Sequence, residues 1–206
     1  MTKERLDKLI ATKLQEDQDA DTLDFLKSLK SNLEKWGELT VKQVAAFERI
    51  EYLSSQEGQD YVKAWQKEYS ENLVEKAKIC SRYYLSNPPY FNDLSSKILS
   101  NAAFIPTEKQ YRAMCENKYT SRVIKEFYRT PAFSNGDIVQ IRDNSAMPYH
   151  LYSIRGNPCV VINNNTGAIT THATGAKVYK VLPFGQSKLF ECQERHLKGY
   201  RSKKKT

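Results

Sequence analysis

Apolar residues in the first 130 positions recur every three or four residues, the spacing of one face of an α-helix. One apolar stripe runs from Leu26 to Trp36 and another from Val44 to Leu53, with Gly37 between them where glycine commonly ends a helix. The pair Pro88-Pro89 interrupts a later stripe, because proline lacks an amide hydrogen and clashes with the preceding turn. The pattern therefore predicts a helical domain over residues 1–130.

After Pro131 the pattern changes to short β-branched runs that are separated by turn residues. Four or five strands in about 70 residues are typical of a small closed barrel, since closure hides the strand edges. We therefore expect an SH3-like β-barrel over residues 131–200, and the whole chain to be an α+β fold, a helical bundle followed by this barrel. The tail at residues 201–206 is too polar to pack and is predicted to be disordered.

The tetrapeptide Thr-x-Lys-Gln occurs twice, at residues 40–43 and 107–110. In a capping box, the threonine hydroxyl accepts from the backbone amide of the glutamine, and the glutamine side chain accepts from the amide of the threonine. Each tetrapeptide therefore predicts a helix start and needs no chemistry. The flanking residues give helix, turn, tetrapeptide and helix in residues 25–50 and again in 91–119, which predicts a degenerate helical-hairpin repeat.

The formal net charge of +8 is concentrated near the carboxyl terminus. Residues 131–206 contain 11 Lys and Arg against 4 Asp and Glu, whereas residues 1–130 contain 21 against 20. This asymmetry indicates a polyanionic partner, or else a solvated surface with a basic tail. Phosphates bind cations and unpaired bases stack on aromatic rings. The predicted nucleic-acid-binding residues are Lys177, Tyr179, Lys180, Lys188, Arg195, Lys198, Arg201, Lys203, Lys204 and Lys205. In the alternative, Tyr179 belongs to the core and the lysines are only solvated.

The sequence contains no established catalytic or nucleotide-binding motif, and we predict no enzyme, catalytic residue, cofactor or metal. Cys192 and His196 are four residues apart, but alternation along a strand favours a buried structural thiol over a nucleophile. His150, Cys159, His172 and Cys192 are spaced too irregularly to predict a zinc site. All four cysteines are expected to be reduced thiols.

Two segments resemble known sequences. Residues 24–50, DFLKSLKSNLEKWGELTVKQVAAFERI, resemble a segment found in many proteins of tailed bacteriophages, where a Ser-Leu helix leads through Gly-x-Leu-Ser/Thr to Lys-Gln. The runs FSNGDIV, VYKVLP and ERHLK, within residues 133–198, are similar to small SH3-like barrels, many of them phage-encoded. The resemblances imply a phage-encoded protein, and they imply no reaction and no catalytic residues.

Two function classes remain open from the sequence. The first is a non-enzymatic accessory protein that binds DNA or RNA with its basic barrel and tail, while the helical domain docks another protein. The second is a protein-interaction or assembly module, with the same barrel and docking domain, that makes no nucleic-acid contact. No apolar run approaches the roughly 18–20 residues of a membrane span, so we expect no membrane partner. The charged amino terminus lacks the apolar centre of a signal peptide, which predicts a cytoplasmic location, in the host if the protein is phage-encoded.

Overall fold

The computed structural model describes residues 3–15, 20–143, 147–164 and 167–201. Within these residues it contains eight α-helices and one five-stranded antiparallel sheet, which confirms the α+β class. Contacts divide the chain into two compact units, unit 1 (Met1–Glu68) and unit 2 (Tyr69–Thr206). The predicted disordered tail lies, from residue 202 onward, outside the described residues.

Unit 1 consists of the helices α1 (Lys3–Gln15), α2 (Ala20–Trp36), α3 (Val41–Ser54) and α4 (Gln56–Glu68). The predicted capping box is present at the start of α3. The amide of Gln43 donates to Thr40 Oγ1 at 3.3 Å, and the amide of Thr40 donates to Gln43 Oε1 at 2.9 Å. The apolar stripes of α1, α2 and α3 meet in one core, formed by Leu6, Leu9, Leu26, Leu29 and Phe47.

Unit 2 begins with a π-helical segment, Tyr69–Leu73, and continues with four helices. These are α5 (Val74–Leu85), α6 (Asn92–Ser100), α7 (Glu108–Cys115) and α8 (Lys118–Tyr128). Helix α5 is the centre of this group, since α6, α7 and α8 all pack against it. The second predicted capping box, Thr107 with Gln110, begins α7. The two stretches of the predicted repeat lie in different units, α2–α3 in unit 1 and α6–α7 in unit 2.

The sheet has the strands β1 (Ile138–Ile141), β2 (Pro158–Asn163), β3 (Val178–Pro183), β4 (Phe190–Gln193) and β5 (Leu197–Gly199). Their order is β4-β3-β2-β1-β5, with every neighbouring pair antiparallel. Among the described residues β4 and β5 do not pair with each other, so the sheet is open and the predicted closed barrel is not observed. The two edge strands are only four and three residues long, which leaves few backbone groups for closure.

The inner face of the sheet carries the core of the carboxyl-terminal half. Strand residues alternate between inside and outside, as the β-branched runs predicted. A short 3-10 helix, Tyr149–Ile154, lies between β1 and β2 and adds Leu151 and Ile154 to the same core. Met147, just before that helix, also belongs to this core, and the strands contribute most of its other large side chains, among them Val139, Ile141, Val161, Tyr179 and Val181.

The boundary between the compact units falls after Glu68, whereas the sequence placed it near residue 130. Helix α8 belongs with the sheet because polar contacts join them. Glu126 Oε1 accepts from the amide of Ala176 at 3.1 Å, and Arg129 forms an ion pair with Glu194. Helix α8 thus ends at Tyr128, and the chain continues through Pro131 within the same unit.

Candidate nucleic-acid interface

Two of the predicted nucleic-acid-binding residues, Lys177 and Tyr179, are buried. Lys177 Nζ donates to the carbonyl oxygen of Phe127 at 2.7 Å, and burial lowers the pKa of Lys177. The Tyr179 hydroxyl donates to Glu194 Oε2 at 2.7 Å, and burial raises the pKa of Tyr179. Neither side chain is available to a phosphate or a base, which corrects the sequence-based assignment for both.

The other predicted residues that the structure describes are exposed or half-buried, and two of them, Lys180 and Lys198, lie on strands that are not neighbours. Lys180 on β3 lies 3.5 Å from the carboxylate of Glu191 on β4. Lys198 lies on β5, and the strands β2 and β1 separate it from β3. A role for these cations in binding stays a prediction, as it does for Lys188, Arg195 and Arg201. Lys203, Lys204 and Lys205 lie outside the described residues.

A buried polar network fixes α8 to the sheet. Arg129 donates to both carboxylate oxygens of Glu126, at 2.8 and 3.0 Å, and also to Glu194. Burial raises the pKa of Glu126, but the guanidinium of Arg129 and the nearby backbone amides outweigh it, so that this pKa lies below its ordinary value. Together with Lys177 the network holds two cations and two carboxylates. Its charges therefore balance, and we assign it a structural role.

Unit 2 contains a cavity of about 560 Å³ whose walls are largely aromatic. We call it the tyrosine cavity and define it by Tyr83, Tyr84, Tyr90, Phe91, Tyr119 and His172. The first two residues lie near the end of α5, the next two in the loop before α6, and Tyr119 in the first turn of α8. His172 comes from the loop that precedes β3. Residues far apart in sequence thus form one concave site.

Mutual contacts hold most of the rings of the tyrosine cavity in place. Tyr84 packs obliquely against Phe91 and edge-on against Tyr83, with ring centroids 4.9 and 5.2 Å apart. The Tyr83 hydroxyl lies 3.3 Å from His172 Nδ1, and Asn117 Nδ2 donates to the Tyr84 hydroxyl at 2.8 Å. These contacts fix the side chains of Tyr83, Tyr84, Phe91 and His172 relative to one another.

Phe91 has a left-handed backbone conformation, with φ of 52°. This region is unfavourable for a bulky residue and persists only where the surroundings enforce it. The packing of the Phe91 ring against Tyr84 and its place in the cavity wall supply that constraint. Strained residues concentrate at functional sites, so this conformation is a further reason to consider the cavity as a binding site.

A second concave surface lies directly beside the cavity. We call it the basic groove; it has a volume of about 670 Å³ and shares His172 with the tyrosine cavity. Arg122 and Lys125 project into it from α8, and both are exposed. Among the residues that the structure describes, neither has a carboxylate partner, whereas Glu126 in the same groove is already paired with Arg129. The groove therefore carries excess positive charge.

The sequence contains a signal for the cavity in its aromatic residues, which the pattern of charges does not reveal. The stretch RYYLSNPPYF, residues 82–91, holds four aromatic residues within ten positions around a pair of prolines. Such density on a helix end and its following loop indicates either a core or a stacking surface. The contribution of Tyr119 and His172, by contrast, depends on tertiary packing.

The described part of the chain also bears on a cysteine nucleophile, a metal site and a membrane-spanning helix. Cys192 is buried and its pKa is raised by burial to about 12, so its thiol is protonated near neutral pH. No cluster of three or more His, Cys, Asp or Glu side chains suited to a metal is found among the described residues. Within the same residues, no helix combines the length and apolar character needed to cross a membrane.

Comparisons with protein-family models, with curated proteins and with solved structures each found no match for this chain. We therefore infer the function of the chain from the cavity, the groove and the distribution of charge.

Proposed function

We propose that this chain is a non-enzymatic accessory protein that binds nucleic acid, with unit 2 as the binding unit. The distribution of charge between the two units carries this proposal. Unit 2 contains 21 Lys and Arg against 10 Asp and Glu, a formal charge of +11, whereas unit 1 contains 11 against 14, a formal charge of −3. A compact unit with such an excess attracts the phosphate backbone, whose neutralisation releases counterions.

The basic groove is a concave surface of unit 2 where two of these cations lie together. Arg122 and Lys125 lie one helical turn apart on α8 and are not neutralised by a described carboxylate. The exposed cations of the sheet and its carboxyl-terminal end, Lys188, Arg195, Lys198 and Arg201, add attraction at longer range. Contacts of this kind position a strand and do not read its sequence.

The same proposal includes an SH3-like arrangement of the strands and a phage origin of the protein. A 3-10 turn, Glu194–His196, leads from β4 into β5, which pairs with β1. This return of the last strand to the first supports an SH3-like arrangement in an open sheet. The segment at residues 24–50 supports a phage-encoded protein that acts in the cytoplasm of its host.

Salt dependence of binding tests the proposal. With about four phosphate contacts on a single strand, the slope of log K against log salt should be roughly −3, at about 0.7 per contact. Replacing both Arg122 and Lys125 by alanine should reduce the slope by roughly 1.4 if each contacts one phosphate. The matched control replaces Lys63 and Lys67, two exposed lysines on α4 of unit 1, and should leave the slope nearly unchanged.

The measurement is fluorescence anisotropy with a labelled single-stranded oligonucleotide across a range of salt. No binding at low salt, or binding that does not change with salt, would contradict the proposal. An equal effect of the two double substitutions would contradict the assignment to the basic groove while leaving a general attraction in place.

A second candidate function, a protein-interaction or assembly module, is favoured by the outer face of the sheet. Ile138, Val160 and Leu182 are directly opposite one another on β1, β2 and β3 and point away from the core. Ile162 on β2 and Phe184, directly after the end of β3, are also exposed. If oligonucleotides do not bind, Ile138→Lys should weaken self-association or a protein complex, as measured by sedimentation.

A further inference from the structure

We propose that the tyrosine cavity takes an unpaired nucleobase of a single strand, while the basic groove holds the adjoining phosphate; this rests on the proposed nucleic-acid binding. The volume of about 560 Å³ lies within the roughly 300–1,000 Å³ of small-molecule sites. A flat base fits aromatic walls, because every base has a π-face that stacks on tyrosine or phenylalanine.

Two tyrosines of the cavity present their rings to solvent. Tyr90 is 71% exposed, and its side chain makes no hydrogen bond or ring contact with the residues that the structure describes. Tyr119 is 43% exposed and packs edge-on against His172, with centroids 5.2 Å apart. Tyr83 and Tyr84 are buried and form the deeper wall. A base can therefore stack on Tyr90 or Tyr119 without displacing core side chains.

Polar groups in the cavity wall are placed for the edge of a base. The amide nitrogen of Asn87 donates to the carbonyl oxygens of Tyr83 and Thr170, at 2.8 Å each, so that the position of this side chain is fixed. His172 contacts the Tyr83 hydroxyl through Nδ1, and its Nε2 has no partner among the described residues. Fixed polar groups among aromatic walls are the usual composition of a site that orients its ligand.

The charges around the cavity favour a nucleotide over a proline-rich peptide, which also binds to aromatic grooves. No described aspartate or glutamate lines the tyrosine cavity. The basic groove adjoins it at His172 and supplies Arg122 and Lys125. A base in the cavity would thus have its phosphate beside two unpaired cations, an arrangement that a neutral peptide does not need.

The test uses the full-length protein and two oligonucleotides about ten nucleotides long, a length comparable to known single-strand site sizes. One is oligothymidine, and the other has the same phosphodiester backbone without bases. We expect the first to bind about 5-fold more tightly, or more, because that is the lower end of what stacking of one base on an aromatic ring contributes to affinity. Parallel titrations with oligouridine distinguish DNA from RNA. Tight binding of either oligothymidine or oligouridine would support the proposal.

Replacing both Tyr90 and Tyr119 by alanine should abolish the preference for the strand with bases and leave the salt slope unchanged. The matched control is Tyr149→Ala, which removes an exposed tyrosine from the 3-10 helix between β1 and β2 and should preserve the preference. Photocrosslinking of a bromouracil-containing strand to the unsubstituted protein, followed by mass spectrometry, should identify Tyr90 or Tyr119. That result does not depend on whether the variants fold.

The outcomes separate this inference from the proposed function. Equal binding of the strands with and without bases, with a steep salt slope, would overturn the base site and leave nucleic-acid binding intact. Binding of neither strand would overturn both. Crosslinks confined to the sheet, or a proline-rich peptide that binds through Tyr90 and Tyr119 while oligonucleotides do not, would also overturn the base site.

Discussion

The substitution Arg129→Ala would test the buried network that joins α8 to the sheet. It removes the guanidinium between the side chains of Glu126 and Glu194, which are only 6% and 8% exposed. Removing one partner of a buried ion pair costs roughly 3–5 kcal/mol, because a buried charge remains uncompensated. Arg129 is itself 32% exposed, and both carboxylates keep backbone amide donors. We therefore expect the free energy of unfolding to fall by about 3 kcal/mol, the lower end of that range.

Urea and thermal unfolding of the full-length protein would measure this loss. For a unit of this size, about 3 kcal/mol corresponds to a decrease of roughly 10 °C in Tm. The control is Arg112→Ala, which removes an exposed guanidinium from its pair with Glu108 one helical turn away on α7. That substitution should cost no more than about 0.5 kcal/mol.

The effect of Arg129→Ala should also depend on pH. The pKa of Glu126 in the folded protein is below its ordinary value of about 4.5, so its ionised form stabilises the fold above that value. This contribution is lost as the pH falls through the lowered pKa, and the difference between wild type and variant should therefore shrink in acid. A loss below about 1 kcal/mol, or a loss that is the same at neutral and acid pH, would refute the structural role of the network.

Two further predictions concern helix starts and the unit boundary. Thr40→Ala and Thr107→Ala should each lower the free energy of unfolding by roughly 0.5–2 kcal/mol, the usual cost of a lost cap. Oligonucleotide binding by the folded variants should not change; if binding disappears while the melting curve stays the same, the tetrapeptides are functional. A fragment of residues 69–206 should unfold cooperatively when followed by circular dichroism in urea. A fragment of residues 131–206 should not, since it lacks Glu126 and Arg129; a sharp transition in that fragment would restore the boundary near residue 130.

The sequence by itself determined the features that depend on neighbouring residues. The two capping boxes, at Thr40 and Thr107, were predicted correctly because their hydrogen bonds connect residues only three positions apart. The strands of the sheet followed from short β-branched runs and alternation, which also act within a few residues. The uneven charge was equally visible, although its division between two units was not.

Only the tertiary structure decided which side chains are available and which are brought together. Lys177 and Tyr179 appeared suited to phosphate and base, but contacts with Phe127 and Glu194, fifty and fifteen positions away, hold them in the interior. The sheet is open, and polar contacts join α8 to the sheet within unit 2, which begins at Tyr69.

The tyrosine cavity depends in the same way on distant residues, because Tyr83 and His172 are 89 positions apart and meet through the packing of two helices and a loop. The local sequence pattern reflects the energetics of a single helix or strand. Burial and the pairing of charges depend on which elements pack together, and no window of neighbouring residues contains that information.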